Sequence, residues 1–147
     1  LMRTYRVGKL IYGALEATLN SYRFGRAARE IPVVRMISMT REDLLIRAKD
    51  FERRLIAELP EDARIRLSEG NSLVGGGSCP EYFLPTTLIM LESDSASPNA
   101  VESRLRSQEP SIIIRLEDDK ALVDLRTVFE DQETALIDGL RRALSPQ

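Results

Sequence analysis

No histidine occurs among the 147 residues, and that alone removes several chemistries. There can be no Ser-His-Asp or Cys-His nucleophile, no histidine proton shuttle and no histidine metal ligand. Chemistry by the chain's own side chains falls to carboxylates, Lys, Tyr, Arg or the single cysteine, Cys79. One cysteine also excludes an intrachain disulfide and a multi-cysteine zinc site, and no metal site is expected. Cys79 has no basic partner in the pattern around it and reads as a small loop residue. Glu117, Asp118 and Asp119 fall at a hairpin tip, where a solvated turn is expected rather than an acid–base dyad. Asp124 and Arg126 in "VDLR" alternate along one strand face and are expected to pair with neighbours.

The glycines Gly75, Gly76 and Gly77 in "SLVGGGSCPEYFLPT" (72–86) invite a phosphate-binding reading. They lack the Gly-Lys-Ser/Thr ending of a P-loop and the spaced glycines of a dinucleotide fingerprint. Pro80 and Pro85 oppose an immediate helix. The run therefore reads as a loop whose backbone passes close to other backbone.

Charge is unevenly spread. Residues 1–30 carry six basic side chains against Glu16 and Glu30, a balance of +4 in a chain of net −2. Arginines outnumber lysines, and guanidinium groups suit bidentate recognition of phosphate or carboxylate. A solvated basic helix face is the other reading of the same residues.

The elements that must position these groups follow from periodicity. Leu10, Ala14, Leu15, Leu19 and Tyr22 have helical spacing over 10–28. "IPVVRMI" (31–37) predicts a short extended run with Pro32 at its start. Thr40 and Asp43 form a capping-box pattern that opens a helix with Leu44, Ala48, Phe51, Leu55 and Leu59 on one stripe, ended by Pro60. "ARIRLSEG" (63–70) alternates as a strand, and "TTLIMLES" (86–93) is apolar enough to lie centrally in a sheet. Ser97-Pro98 starts a short helix carrying Val101 and Leu105. Residues 111–128 predict a hairpin through Asp118-Asp119, and a last helix runs from about Glu130 to Leu144. Helices on one face of a small, mostly antiparallel sheet would bury these stripes, an α+β two-layer fold. The expected organisation is a single domain over 1–147, with a linking helix in 1–30 and an α+β body in 31–147. No apolar run is long enough to span a bilayer, and neither a membrane nor a signal peptide is expected.

Four stretches, "LMRTYRVGKLIYGALEATLNSY" (1–22), "IPVVRMI", "SLVGGGSCPEYFLPT" and "PSIIIRLEDDKALVDLRTV" (110–128), resemble in order and spacing the C-terminal part of bacterial selenocysteine synthase, the L-seryl-tRNA(Sec) selenium transferase family. The resemblance implies the small domain of a type I pyridoxal-phosphate (PLP) fold. It implies conversion of seryl-tRNA(Sec) to selenocysteinyl-tRNA(Sec) with selenophosphate, PLP acting as electron sink. It also implies a cytoplasmic ring of homodimers. The family's PLP lysine lies upstream of the matched stretch, so no catalytic residue is expected within this chain, which by itself should be silent. Lys9 falls in the block after the lysine segment and does not take that role.

The resemblance places Arg3 and Arg6 on an arginine pair that binds the oxyanion of the selenium donor; surface arginines beside a helix start are the alternative. Relatives commonly have Asp-Lys where this chain has Gly8-Lys9, so an ion pair near Arg6 is lost. It places Gly75, Gly76 and Gly77 along the mouth of the active site, with Ser72 or Ser78 as polar contacts, while tight turns would equally explain the glycines. Arg115 stands either in the active site or in a cross-strand ion pair. Two other parents fit the same residues: a PLP-dependent lyase acting on small amino compounds, and a non-catalytic remnant or oligomerisation module.

Overall fold

The computed structural model describes residues 6–75 and 81–145. The chain forms two compact units, residues 1–39 and 40–147.

In the first unit, α1 (Lys9–Arg23) is followed by α2 (Ala27–Glu30) and α3 (Pro32–Ser38). Gly25 ends α1 in the left-handed region (φ +66°), where a glycine avoids the Cβ penalty. The corner is then pinned by its own side chains. Ser21 Oγ donates to Glu30 Oε2 at 2.8 Å, and Arg26 Nε meets Glu30 Oε1 at 3.0 Å. The extended run expected at 31–37 is instead α3. Pro32 occupies its first turn after an extended Ile31, where the fixed φ and missing N–H of proline favour a helix start. A seven-residue apolar run does not by itself distinguish strand from helix.

The second unit begins with the expected capping box. Thr40 Oγ1 accepts from the Asp43 N–H at 3.1 Å, and the Thr40 N–H donates to Asp43 Oδ2 at 3.3 Å. Helix α4 (Arg41–Ile56) buries Leu44, Ala48, Phe51 and Leu55. Strands β1 (Ala63–Leu73) and β2 (Phe83–Ser93) form a long hairpin, α5 (Pro98–Arg106) follows, and β3 (Arg115–Glu117) and β4 (Lys120–Asp124) form a short one. Sheet order is β1-β2-β4-β3, every pairing antiparallel. Helix α6 (Glu133–Leu144) closes the unit after a 3-10 turn at Glu130–Gln132.

One face of the sheet carries Ile65, Ile89, Leu91, Ala121 and Val123 into a single core with Phe51 and Leu55 of α4, Val101 and Leu105 of α5, and Leu136, Leu140 and Leu144 of α6. This is the two-layer α+β arrangement. The α4–α6 contact also has a polar clasp. Glu133, 7% exposed, takes Arg47 Nε at 2.6 Å and pairs with Arg54, while Arg47 also donates to the Leu125 and Val128 carbonyls. Glu133 stands in the first turn of α6, where the helix dipole favours a carboxylate.

The second hairpin is shorter than the expected 111–128. The Ile112 N–H donates to the Leu105 carbonyl at 3.0 Å, so that backbone is spent on the end of α5 rather than on a ladder. At the hairpin tip Asp118 and Asp119 both have positive φ (+49° and +55°), as a two-residue I′ turn requires.

Candidate functional site

The sheet's other face carries Ser68, Gly70 and Ser72 from β1, Thr86, Leu88 and Met90 from β2, and Leu122 and Asp124 from β4, as the register sets out. It is strongly coiled. Strands β1 and β4 are separated by β2, about 10 Å apart in a flat sheet, yet Ser72 Oγ donates to Asp124 Oδ2. Arg115 of β3 reaches further, donating through Nη1 to the Asn71 carbonyl of β1 at 2.9 Å. Gly70 permits this curl. A Cβ there would stand 2.3 Å from Leu88 Cδ1 and 2.9 Å from its Cγ, and Leu88 is 4% exposed.

The curl gathers a polar knot at one end of the face. Asp124 accepts from Ser72, from Thr86 Oγ1 at 2.9 Å and from the Arg126 N–H at 3.0 Å. The Arg126 side chain, only 3% exposed, donates from Nε to Ser72 Oγ at 2.9 Å and from Nη2 to the Pro85 carbonyl at 2.6 Å. Burial pushes the Arg126 pKa down and the Asp124 charge pushes it back up. The knot therefore holds Ser72 on the strand entering the glycine loop and Pro85 on the strand leaving it. Beside it lies a depression of about 310 Å³ bordered by Ser68, Gly70, Leu88, Met90, Arg115 and Leu122.

Of the residues singled out in the sequence, Ser72, Gly75 and Arg115 belong to this end of the second unit. Ser72 is buried in the knot. Gly75 has φ +144°, and a Cβ on it would meet no described atom within 4 Å; conformation, not close approach, calls for glycine there. The close approach is at Gly70, which sequence reasoning passed over. Arg115 pairs with Glu117 on its own strand as well as with the Asn71 carbonyl. Arg6 is exposed, ahead of α1. Arg3, Gly76, Gly77, Ser78 and Cys79 lie outside the described residues. The sequence predicts Asp124 and Arg126 alternating along one strand face and pairing with neighbours. Strand β4 instead ends at Asp124, and Arg126 stands in a 3-10 turn over Leu125–Thr127. Sequence reasoning missed the hub with Ser72 and Thr86, the available signal being an acid ending the apolar strand "KALVD".

The sequence matches the family model described as L-seryl-tRNA selenium transferase over residues 1–129. The chain belongs to this family. The L-seryl-tRNA(Sec) selenium transferase of Geobacter sulfurreducens is 40% identical over 146 residues, covering 99% of this chain and 32% of the relative. That of Geobacter metallireducens is 42% identical over 132 residues, covering 89% and 29%, and that of Nitratidesulfovibrio vulgaris is 37% identical over 145 residues, covering 98% and 31%. The chain thus spans about a third of the length of these selenium transferases. The knot residues Asp124 and Arg126 fall inside the stretch matched to the selenium transferase family. Among the described residues no helix is long and apolar enough to cross a membrane.

Proposed function

We propose that the chain is the small domain of a cytoplasmic, PLP-dependent selenium transferase that converts seryl-tRNA(Sec) to selenocysteinyl-tRNA(Sec) with selenophosphate, working as a homo-oligomer. The observation that carries this reading is the family match running through residues 1–129. The coiled sheet face supports it, because a buried knot around Asp124 and Arg126 near the roots of the 74–82 connection gives those roots a fixed base.

The described residues do not themselves fit PLP. Lys9, Lys49 and Lys120, the only lysines, are all exposed, and the Asp124 carboxylate is already engaged by Ser72, Thr86 and Arg126. The cofactor and its lysine belong to the remainder of the longer enzyme, and the chain alone is catalytically silent. Its contribution is anion binding by Arg3 and Arg6, with residues 1–30 linking to the PLP-binding part and Ser72, Gly75, Gly76, Gly77, Ser78 and Arg115 bordering the site mouth.

The test is to assay the full-length protein with seryl-tRNA(Sec) and selenophosphate. Absence of selenocysteinyl-tRNA would sink the reading. Arg6→Ala should raise the KM for selenophosphate by about tenfold or more, the weight of a hydrogen bond to a charged group. An unchanged KM would remove Arg6 from the anion site.

A further inference from the structure

The first unit holds a feature that neither the fold nor the proposed anion site uses. Apart from Arg3 and Arg6, residues 1–39 contain five basic side chains, Lys9, Arg23, Arg26, Arg29 and Arg35, against Glu16 and Glu30, a balance of +3 in a chain of net −2. Where α1 turns into α2, Phe24 is 59% exposed. The Arg23 and Arg26 guanidiniums stand over its ring at 5.6 Å and 5.3 Å from the centroid. Arg29 follows on the first turn of α2, its N–H bonded to the Arg26 carbonyl at 3.0 Å, and its side chain is exposed. Of the two acids near the corner, one neutralises Arg26 and neither pairs with Arg23 or Arg29. Glu30 is committed to Arg26 and Ser21, and Glu16 lies two helical turns before Arg23. Arg23 and Arg29 form no ion pair among the described residues.

An exposed aromatic ring with two guanidiniums over it leaves apolar surface in water. It is a suitable arrangement for nucleic acid, because bases stack on aromatic faces and guanidinium planes while the positive charge takes the phosphates. The corner is also held rigid by the Ser21–Glu30–Arg26 chain and the Gly25 turn, so little order has to be imposed on binding.

We propose that the Arg23–Phe24–Arg26 corner with Arg29 is an RNA-binding surface, contacting the tRNA of the seryl-tRNA substrate through phosphates and one stacked base. This rests on the function proposed above for its choice of RNA. Arg23 and Arg29 take phosphates, Phe24 offers the stacking face, and Arg26, tied to Glu30, positions the ring.

The experiment uses the full-length protein and unacylated tRNA(Sec), with affinity measured across a salt series. Phe24→Ala should weaken binding about tenfold. The double variant Arg23→Gln/Arg29→Gln should flatten the slope of log affinity against log salt by about one to two units. In turnover both should raise the KM for seryl-tRNA and leave kcat unchanged, and Phe24→Tyr and Arg→Lys variants should recover most of the affinity. Wild-type affinity and salt slope in both variants would overturn the proposal, as would a loss confined to subunit assembly or to binding of anionic lipid vesicles. A wild-type protein that binds tRNA(Sec) but makes no selenocysteinyl-tRNA overturns the proposed function instead, and the variants then still judge this surface.

Discussion

Arg126 is a cation almost out of water; its guanidinium donates to Ser72 Oγ and the Pro85 carbonyl, and the nearby Asp124 carboxylate supplies the opposing charge. Removing one member of such a pair leaves the other buried without its counter-charge. Arg126→Met should therefore lower unfolding free energy by about 3 kcal/mol, read from urea melts. Combined with Asp124→Asn, the loss should be well below the sum of the two singles; simple additivity would mean the two side chains do not act as one unit. Gly70 works by what it lacks. Gly70→Ala drives a methyl into Leu88 at 2.3 Å, and overpacking a fixed neighbour should cost about 1–3 kcal/mol. Leu88→Ala in the same chain should recover part of that penalty, since it vacates the contested space.

At the scale of elements, α4 depends on a short-range device. The Thr40 side chain and backbone hydrogen bonds hold the Asp43 carboxyl below its ordinary pKa. A depressed carboxylate contributes stability that is present above the unfolded value, about 3.9, and is lost as pH falls through the lower folded value. Acid titration of the chain should show this loss below about pH 4, and Thr40→Ala should diminish it while costing about 1 kcal/mol at neutral pH. Helix α1 is the opposite case. Its stripe is regular, but Leu10, Leu15 and Leu19 are 90%, 52% and 57% exposed, so periodicity built a helix whose apolar side meets solvent. Most helical stability comes from packing such a face.

On the scale of the whole molecule, the two units differ in what completes them. The core cluster draws every member from residues 48–144. A chain of residues 40–147 should accordingly unfold in one cooperative transition on heating. The 147-residue chain should self-associate through the α1 stripe, because exposed apolar surface of that extent seeks cover. Leu15→Glu/Leu19→Glu should lower its weight-average mass in sedimentation, whereas an unchanged mass would place the association elsewhere.

Local signals in the sequence were enough for much of this. Thr40 with Asp43, Ser97 before Pro98, and the stripe Leu44–Ala48–Phe51–Leu55 each act through neighbours within four residues, so spacing alone specified α4 and α5 and the face each buries. Alternation at Ile65 and Leu67 likewise fixed which side of β1 meets the helices. Four matched stretches carried the family. What sequence did not determine was anything set by strand curl or by competition for backbone groups. Residues 32–38 became a helix because proline chemistry outweighed an ambiguous apolar run. Ile112 left the hairpin because Leu105 claimed its N–H. The joining of Ser72, Thr86, Asp124 and Arg126 into one knot required the sheet to coil over Gly70. Their separations in sequence, up to 54 residues, carry no local signal, and only the folded sheet brings those oxygens and nitrogens within hydrogen-bond distance.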